Sequence, residues 1–199
     1  PAVGYDACDK HTTRVTSLSL VRYRLNDYSV PTRYGHHAVL LKAYVDEVAI
    51  CCGSEEIARH RRSYEREELI FDPLHYLALL ERKTNALDQA APLAGWQLPE
   101  EFARLRRLLE VRLGKPGKRE YVQVLRLLED FPLSDVAWAA RQAFELGTIS
   151  FDAVKHLLLC RIEQRPPRLD LTRYPHLPAA QVEQTSTADY LSLLAPGAI

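Results

Sequence analysis

Hydrophobic and polar positions alternate with period two from Arg14 to His60, and helical spacing takes over further along the chain. In Ser19–Leu25, Val21, Tyr23 and Leu25 share one face while Arg22 and Arg24 share the other. Asn26 and Asp27 mark a turn, and Tyr28, Ser29 and Val30 lead into Pro31, which suits a strand end or an edge. Between His37 and Val45, the stripe Val39, Leu41, Ala43, Val45 alternates with Leu40, Lys42 and Tyr44. Asp46 and Glu47 reverse the chain, Val48–Cys52 returns, Gly53 and Ser54 turn again, and Glu55–His60 closes the set. Five short strands within about fifty residues predict a small antiparallel β-barrel of the SH3-like kind, because closure removes exposed sheet edges.

After Tyr64 the texture becomes helical. Asp72 and Pro73 form a helix start, with Asp able to cap and Pro tolerated in the first turn, and LHYLALLERK follows. Residues Asn85 to Leu98 hold a proline, a glycine and Trp96, with Pro99 directly after, and read as a packed connector. From Pro99, Phe102, Leu105, Leu109 and Leu113 recur at helical spacing until Gly114-Lys115-Pro116-Gly117 breaks the run. Val122, Leu125 and Leu128 form the next stripe, Ser134 caps a helix running to Leu146, and Ser150 caps FDAVKHLLLCRIEQ, which Pro166 and Pro167 stop. Four helices on short connections predict a small antiparallel bundle.

The chain therefore reads as α+β, a small β-barrel followed by a helical bundle. Its segments are a linker at 1–13, the barrel at 14–64, a connector with a short helix at 65–98, the bundle at 99–166 and an extended tail at 167–199. In a chain of 199 residues, 47% apolar and 26% charged, there is enough material to bury a real core. The longest apolar runs, VAICC and HLLLC, fall far short of the roughly 18–20 residues that a membrane span needs. No Met occurs, and PAVGYDACDKHTTRV reads as the middle of a polypeptide, so a piece of a longer protein is expected. Sparse cysteines without a CxxC pair point to small buried thiols in a reducing, cytoplasmic setting.

Candidate chemistry is scarce. His156 and Cys160 lie four apart on a helix, but two ligands are not a metal site, and their apolar surroundings suit a core histidine and a core thiol. His36 and His37 read as a solvated turn, and Glu67 and Glu68 as a solvated connector. No Gly-x-Ser-x-Gly elbow and no Walker loop is present, GKPGKR being a basic interhelix turn. The helices flanking Gly147 resemble a helix-turn-helix in their tight turn, yet FDAVKHLLLCRI is too apolar to present polar groups to base edges.

Charge changes the picture. Lysine and arginine balance aspartate and glutamate over the whole chain, but the strand-rich part carries Arg14, Arg22, Arg24, Arg33, Lys42, Arg59, Arg61 and Arg62 against Asp27, Asp46, Glu47, Glu55 and Glu56. A small basic barrel of this kind holds a nucleic-acid backbone by neutralising phosphates, which requires clustering but no motif. The alternative is a protein-interaction module without DNA contact, its basic residues paired internally. A second basic segment, Arg104 to Arg119, is interleaved with glutamates that can absorb much of it.

The wording of the chain also carries a resemblance. VTSLSLVRYRLNDYSVPTRYGHHAVLLKAYVDEV, YEREELIFDPLHYLALLERK, ALDQAAPLAGWQLPEEFARLRRLLE, GKREYVQVLRLLE and LGTISFDAVKHLLLCRIEQRPPRLDL resemble the C-terminal part of IstA-type transposases of bacterial two-gene insertion sequences. RYRLNDYSVP resembles in particular the barrel of the Mu-transposase-like C-terminal domain. The similarity is collinear from about Val15 to Leu194. It implies a parent with an N-terminal helix-turn-helix and a ribonuclease-H-like core whose Asp-Asp-Glu site uses magnesium. It also implies an IstB-type AAA+ ATPase and other transposase subunits as partners, in the bacterial cytoplasm.

No carboxylate of this chain matches the catalytic triad, so this piece is expected to be non-enzymatic, without a cofactor of its own, and to bind DNA and support assembly. Strand parity and charge nominate Arg22, Arg24, Arg33, Lys42, Arg61 and Arg62 as DNA contacts. Tyr190, Leu191 and Leu194 in the tail either anchor a partner or fold back onto the bundle.

Overall fold

The strands of the first half fall into two sheets. In the computed structural model, which describes residues 6–163, β1 (Asp9–Arg14), β4 (Ala38–Ala43), β5 (Glu47–Cys52) and β6 (Glu55–Arg61) form an antiparallel sheet in the order β1-β4-β5-β6. β2 (Leu20–Tyr23), β3 (Asn26–Ser29) and β7 (Leu69–Ile70) form the second sheet, β3 and β7 running parallel. The architecture is α+β, as the alternation and spacing predict. Val39, Leu41 and Ala43 are buried on one stripe, together with Val15, Val21, Tyr23, Tyr28, Val30, Val48 and Ile50, and this makes a single β core.

The closed barrel does not form. The second edge of β3 is occupied by β7, which arrives from the connector, so β6 cannot pair with β3 through its backbone. The imidazole of His60 on β6 reaches the carbonyl of Ser29 on β3 instead, at 2.6 Å. Pro31 adds to the break by ending the hairpin strand without an amide to donate.

Two further expectations change. Residues 9–13, read as linker, belong to β1, whose polar side chains conceal a full antiparallel register with β4 from Asp9↔Ala43 to Arg14↔Ala38. Arg24 and Leu25 are the two-residue turn between β2 and β3 and do not continue the strand. Arg24 takes φ 53°, a left-handed value of the kind that a two-residue hairpin demands. The alternation therefore ends at Tyr23, Leu25 is exposed, and Arg22 and Arg24 do not share a face.

The helical half has its own core, built from Leu77, Leu80, Phe102, Leu105, Leu109, Val122, Leu125, Val136, Val154 and Leu158 among others. Asp72 caps the turn before α1 (Leu77–Arg82), its Oδ1 accepting from the Leu74 amide at 2.9 Å, with Pro73 in the first turn. Trp96 packs against this core from the connector. α2 (Glu100–Leu113) buries Phe102, Leu105 and Leu109.

The expected breaker is in fact the start of α3 (Lys115–Arg126). Pro116 sits where its missing N–H has no intrahelical partner to lose, and Gly117 lies against α2 so closely that a Cβ would come within 2.1 Å of the Leu109 carbonyl oxygen. α4 (Leu133–Glu145) packs on α5 (Phe151–Ile162), whose Ala153 amide donates to Ser150 Oγ at 3.2 Å, the predicted cap.

A polar junction links the two cores. Ser29 Oγ accepts from the Asp72 amide at 2.8 Å and lies 2.9 Å from His75 Nδ1. The His60 and His75 rings meet edge to face at 5.6 Å, and the Tyr76 hydroxyl donates to the Leu18 carbonyl at 3.1 Å. Burial pushes the pKa of both imidazoles down, that of His75 to about 4, so both are neutral at pH 7. Ser29, His75 and Asp72 are arranged much like a nucleophile, base and acid. Ser29, however, is wholly buried and its hydroxyl is already engaged by the Asp72 amide, which makes the group a structural tie.

Candidate nucleic-acid interface

The tip of the β2–β3 hairpin and the segment after β6 are fastened together by one side chain. Asn26, 4% exposed, donates through Nδ2 to the carbonyls of Ser63 (3.2 Å) and Glu65 (2.9 Å) and accepts from the Glu68 amide through Oδ1 (3.0 Å). The Ser63 amide donates to the Tyr28 hydroxyl at 3.1 Å, and the Glu67 amide to the Leu25 carbonyl at 3.1 Å. Residues 62–68 are thus held in a defined path over the hairpin end, with Glu67 at φ 60°.

That path gathers arginines around two tyrosines. The guanidinium carbons of Arg24 and Arg62 each lie 5.5 Å from the centroid of the Tyr23 ring, and Arg62 lies 4.7 Å from that of Tyr64. Arg62 is fixed by a 2.6 Å hydrogen bond to the Tyr44 carbonyl, and the Tyr64 hydroxyl donates to the Val45 carbonyl at 2.7 Å. Tyr23 donates to Asp9 at 2.9 Å; burial and that bond push its pKa up, while Arg62 and Arg24 pull the other way. Arg66 lines the same recess, a cavity of about 120 Å³ that also includes Glu65. None of Arg24, Arg62 and Arg66 has an ion-pair partner among the described residues.

The other nominated positions are separated from this rim and mostly neutralised. Arg22 faces Asp27 across the hairpin at 3.8 Å. Arg33 bonds the Tyr34 hydroxyl at 3.3 Å, which with Glu55 at 3.9 Å favours its charged form. Lys42 donates to Asp6 at 3.0 Å; the Tyr44 hydroxyl and Lys42 together pull the Asp6 carboxyl down to about 2. Arg59 is clamped between Glu56 and Glu47. Arg61 is exposed at the end of β6, opposite Glu47 in register and without an ion pair among the described residues. The structure thus joins Arg24 to Arg62, isolates Arg22, Arg33 and Lys42, and adds Arg66, Tyr23 and Tyr64.

In the helical half, ion pairs engage Arg106, Lys118 and Arg119, while Arg104, Arg107, Arg112 and Lys115 have none among the described residues. His156 and Cys160 approach to 3.5 Å but are exposed, because α5 buries only Val154 and Leu158 against its neighbours; they are not the core pair expected. Cys51 is buried, Cys8 and Cys52 are half-buried, and all four cysteines are free. Among the described residues no group of three or more metal-ligating side chains occurs, and no helix is long and apolar enough to cross a membrane. Tyr190, Leu191 and Leu194 lie outside the described residues.

Comparison with known proteins gives this arrangement a context. Residues 1–72, which include the whole hairpin and rim, match the family described as Mu transposase, C-terminal domain. The chain is 35% identical over 169 residues to the transposase for insertion sequences IS1326/IS1353 of Pseudomonas aeruginosa, and equally to that of Shigella flexneri. It is 33% identical over 195 residues to a transposase of Aminobacter aminovorans. This chain is a transposase C-terminal region.

The matches cover 82% and 92% of the chain but only 32% and 37% of those relatives, so this transposase region spans about a third of their length. No solved structure gives a significant match. Within this region the rim was partly visible in the sequence. Arg24 and Arg62 stood out by charge, whereas Arg66 was hidden in YEREE, where flanking glutamates suggest a solvated connector. The one available signal was Asn26, a turn residue that proves to be buried.

Proposed function

We propose that this transposase region holds DNA by its phosphate backbone, through Arg24, Arg62 and Arg66, beside a catalytic core supplied elsewhere in the transposase. The observation that carries this reading is the gathering of three arginines without ion-pair partners on one fastened tip, while neighbouring cations are clamped by carboxylates. Unpaired guanidinium groups exchange their counter-ions for phosphates, whereas Lys42 or Arg59 would first have to leave an existing partner. Arg61 extends the basic surface along the end of β6.

Phosphoryl transfer, with magnesium and an Asp-Asp-Glu site, belongs to the parent core, and this region alone leaves DNA uncut. The helical half serves assembly with other transposase subunits or with an IstB-type ATPase.

A second reading, an interaction module without DNA contact, draws on the internal neutralisation of Arg22, Arg33, Lys42 and Arg59. Fluorescence anisotropy with a short blunt duplex, titrated over low to moderate salt, separates the two. DNA holding predicts binding at low salt and log affinity falling linearly with log salt, with a slope of about −3 for three phosphate contacts. No binding at low salt selects the interaction module.

A further inference from the structure

Duplex backbone contact leaves one feature of the rim without a purpose. Tyr64 keeps 67% of its surface exposed, yet its ring is oriented by the hydroxyl bond to Val45 and by Arg62, whose guanidinium carbon lies over the ring 4.7 Å from its centroid. A tyrosine that adds so little to packing, and is nevertheless held still, offers a pre-set aromatic surface to something outside the protein. Next to it lies the recess of about 120 Å³ between Tyr23, Arg24, Arg62, Glu65 and Arg66. The recess is too small for a groove-filling element and of the order of one planar ring. Its cations number three and its carboxylates one, Glu65.

Bases in a duplex are stacked on one another and cannot use such a ring; unstacked bases can. We propose that the Tyr64 rim takes an unstacked nucleotide, so that the region prefers DNA with a single-stranded end over blunt duplex. This inference rests on the DNA-holding reading and refines it. The base lies on the face of the Tyr64 ring away from Arg62, Arg24 and Arg66 take the flanking phosphates, and Glu65, which lines the recess, accepts from a base's exocyclic amino group. Arg62, tied through one nitrogen to the Tyr44 carbonyl and placed over both tyrosines, keeps the platform in position while its remaining N–H groups face the backbone phosphate.

The test compares the full chain on a blunt duplex, on the same duplex with a short single-stranded overhang, and on the single strand alone, at one fixed salt concentration. Stacking of one base predicts about ten-fold tighter binding to the overhang duplex than to the blunt one. Tyr64→Leu abolishes that difference by bringing overhang affinity down to the blunt-duplex value, and Tyr64→Phe, which keeps the ring but gives up the Val45 bond, retains most of it. Circular dichroism melting of each variant confirms that the fold persists. Equal affinity of the wild-type chain for blunt and overhang DNA overturns the nucleotide site and leaves the DNA-holding reading intact. Equal weakening of both ligands by Tyr64→Leu overturns it as well. Failure to bind any of the three DNAs overturns both readings together.

Discussion

Asn26 shows how one residue can set a surface it does not belong to. Its amide satisfies two carbonyls and one amide of residues 63–68 and so fixes where Arg62, Tyr64 and Arg66 stand. Asn26→Ala leaves those groups unpaired in a nearly buried place, at a loss of about 2–3 kcal/mol of folding stability. Urea unfolding of the variant checks this, and duplex affinity is expected to fall in parallel as the rim loosens. An unchanged unfolding midpoint would remove Asn26 from the account.

The same residue marks the limit of what could be read in advance. Charge named Arg24 and Arg62 as candidates, but strand parity paired Arg24 with Arg22. The parity rule fails once a backbone turns to φ 53°. Lys42 and Arg33 looked equivalent to Arg62 because a sequence does not show which carboxylate will lie 3 or 4 Å away.

At the scale of elements, periodicity served wherever one face is buried. Val39, Leu41 and Ala43, and Phe102, Leu105 and Leu109, are at 3% exposure or less, as their spacing requires. It failed where backbone pairing, rather than an apolar stripe, defines the element. β1 is a largely exposed strand with no apolar stripe, and β7 is a two-residue strand that stops the barrel from closing. The start of α3 was missed because Gly and Pro read as punctuation, whereas Gly117 is needed for close approach to α2 and Pro116 is harmless in a first turn.

The junction of β3, β6 and the turn before α1 makes a prediction at this scale. His60 and His75 are buried neutral, with folded-state pKa values below the ordinary 6.5, His75 at about 4. Acid therefore favours the unfolded chain, which binds these protons first. Stability is full above pH 6.5 and falls as pH drops from there toward about 4, by up to ~1.4 kcal/mol per pH unit for each proton. The paired carboxylates Glu56, Glu81 and Glu101 have pKa values below 4.5, so their losses begin only near that pH, and the interval from 6.5 to 4.5 reports the histidines. Unfolding free energies measured across that interval should decline in the wild-type chain and decline less in His75→Gln. A flat profile would contradict the neutral junction.

Over the whole molecule, the two cores and the polar tie between them place a fastened basic tip at one end of a β unit and a helical unit with exposed Val111 and Leu146 next in the chain. On the function proposed above, the first unit holds and the second assembles, in a region that spans about a third of its transposase relatives. Net charge carries no hint of this, since lysine and arginine number 26 against 26 acidic residues. What matters is which cations are already partnered. The most direct measurement compares the salt dependence of duplex binding for two triple variants. Alanine at the unpaired Arg24, Arg62 and Arg66 should reduce the magnitude of the log–log slope by about three, while alanine at the paired Arg22, Arg33 and Lys42 leaves it nearly unchanged. Equal reductions in both variants, or none in the first, would contradict the account.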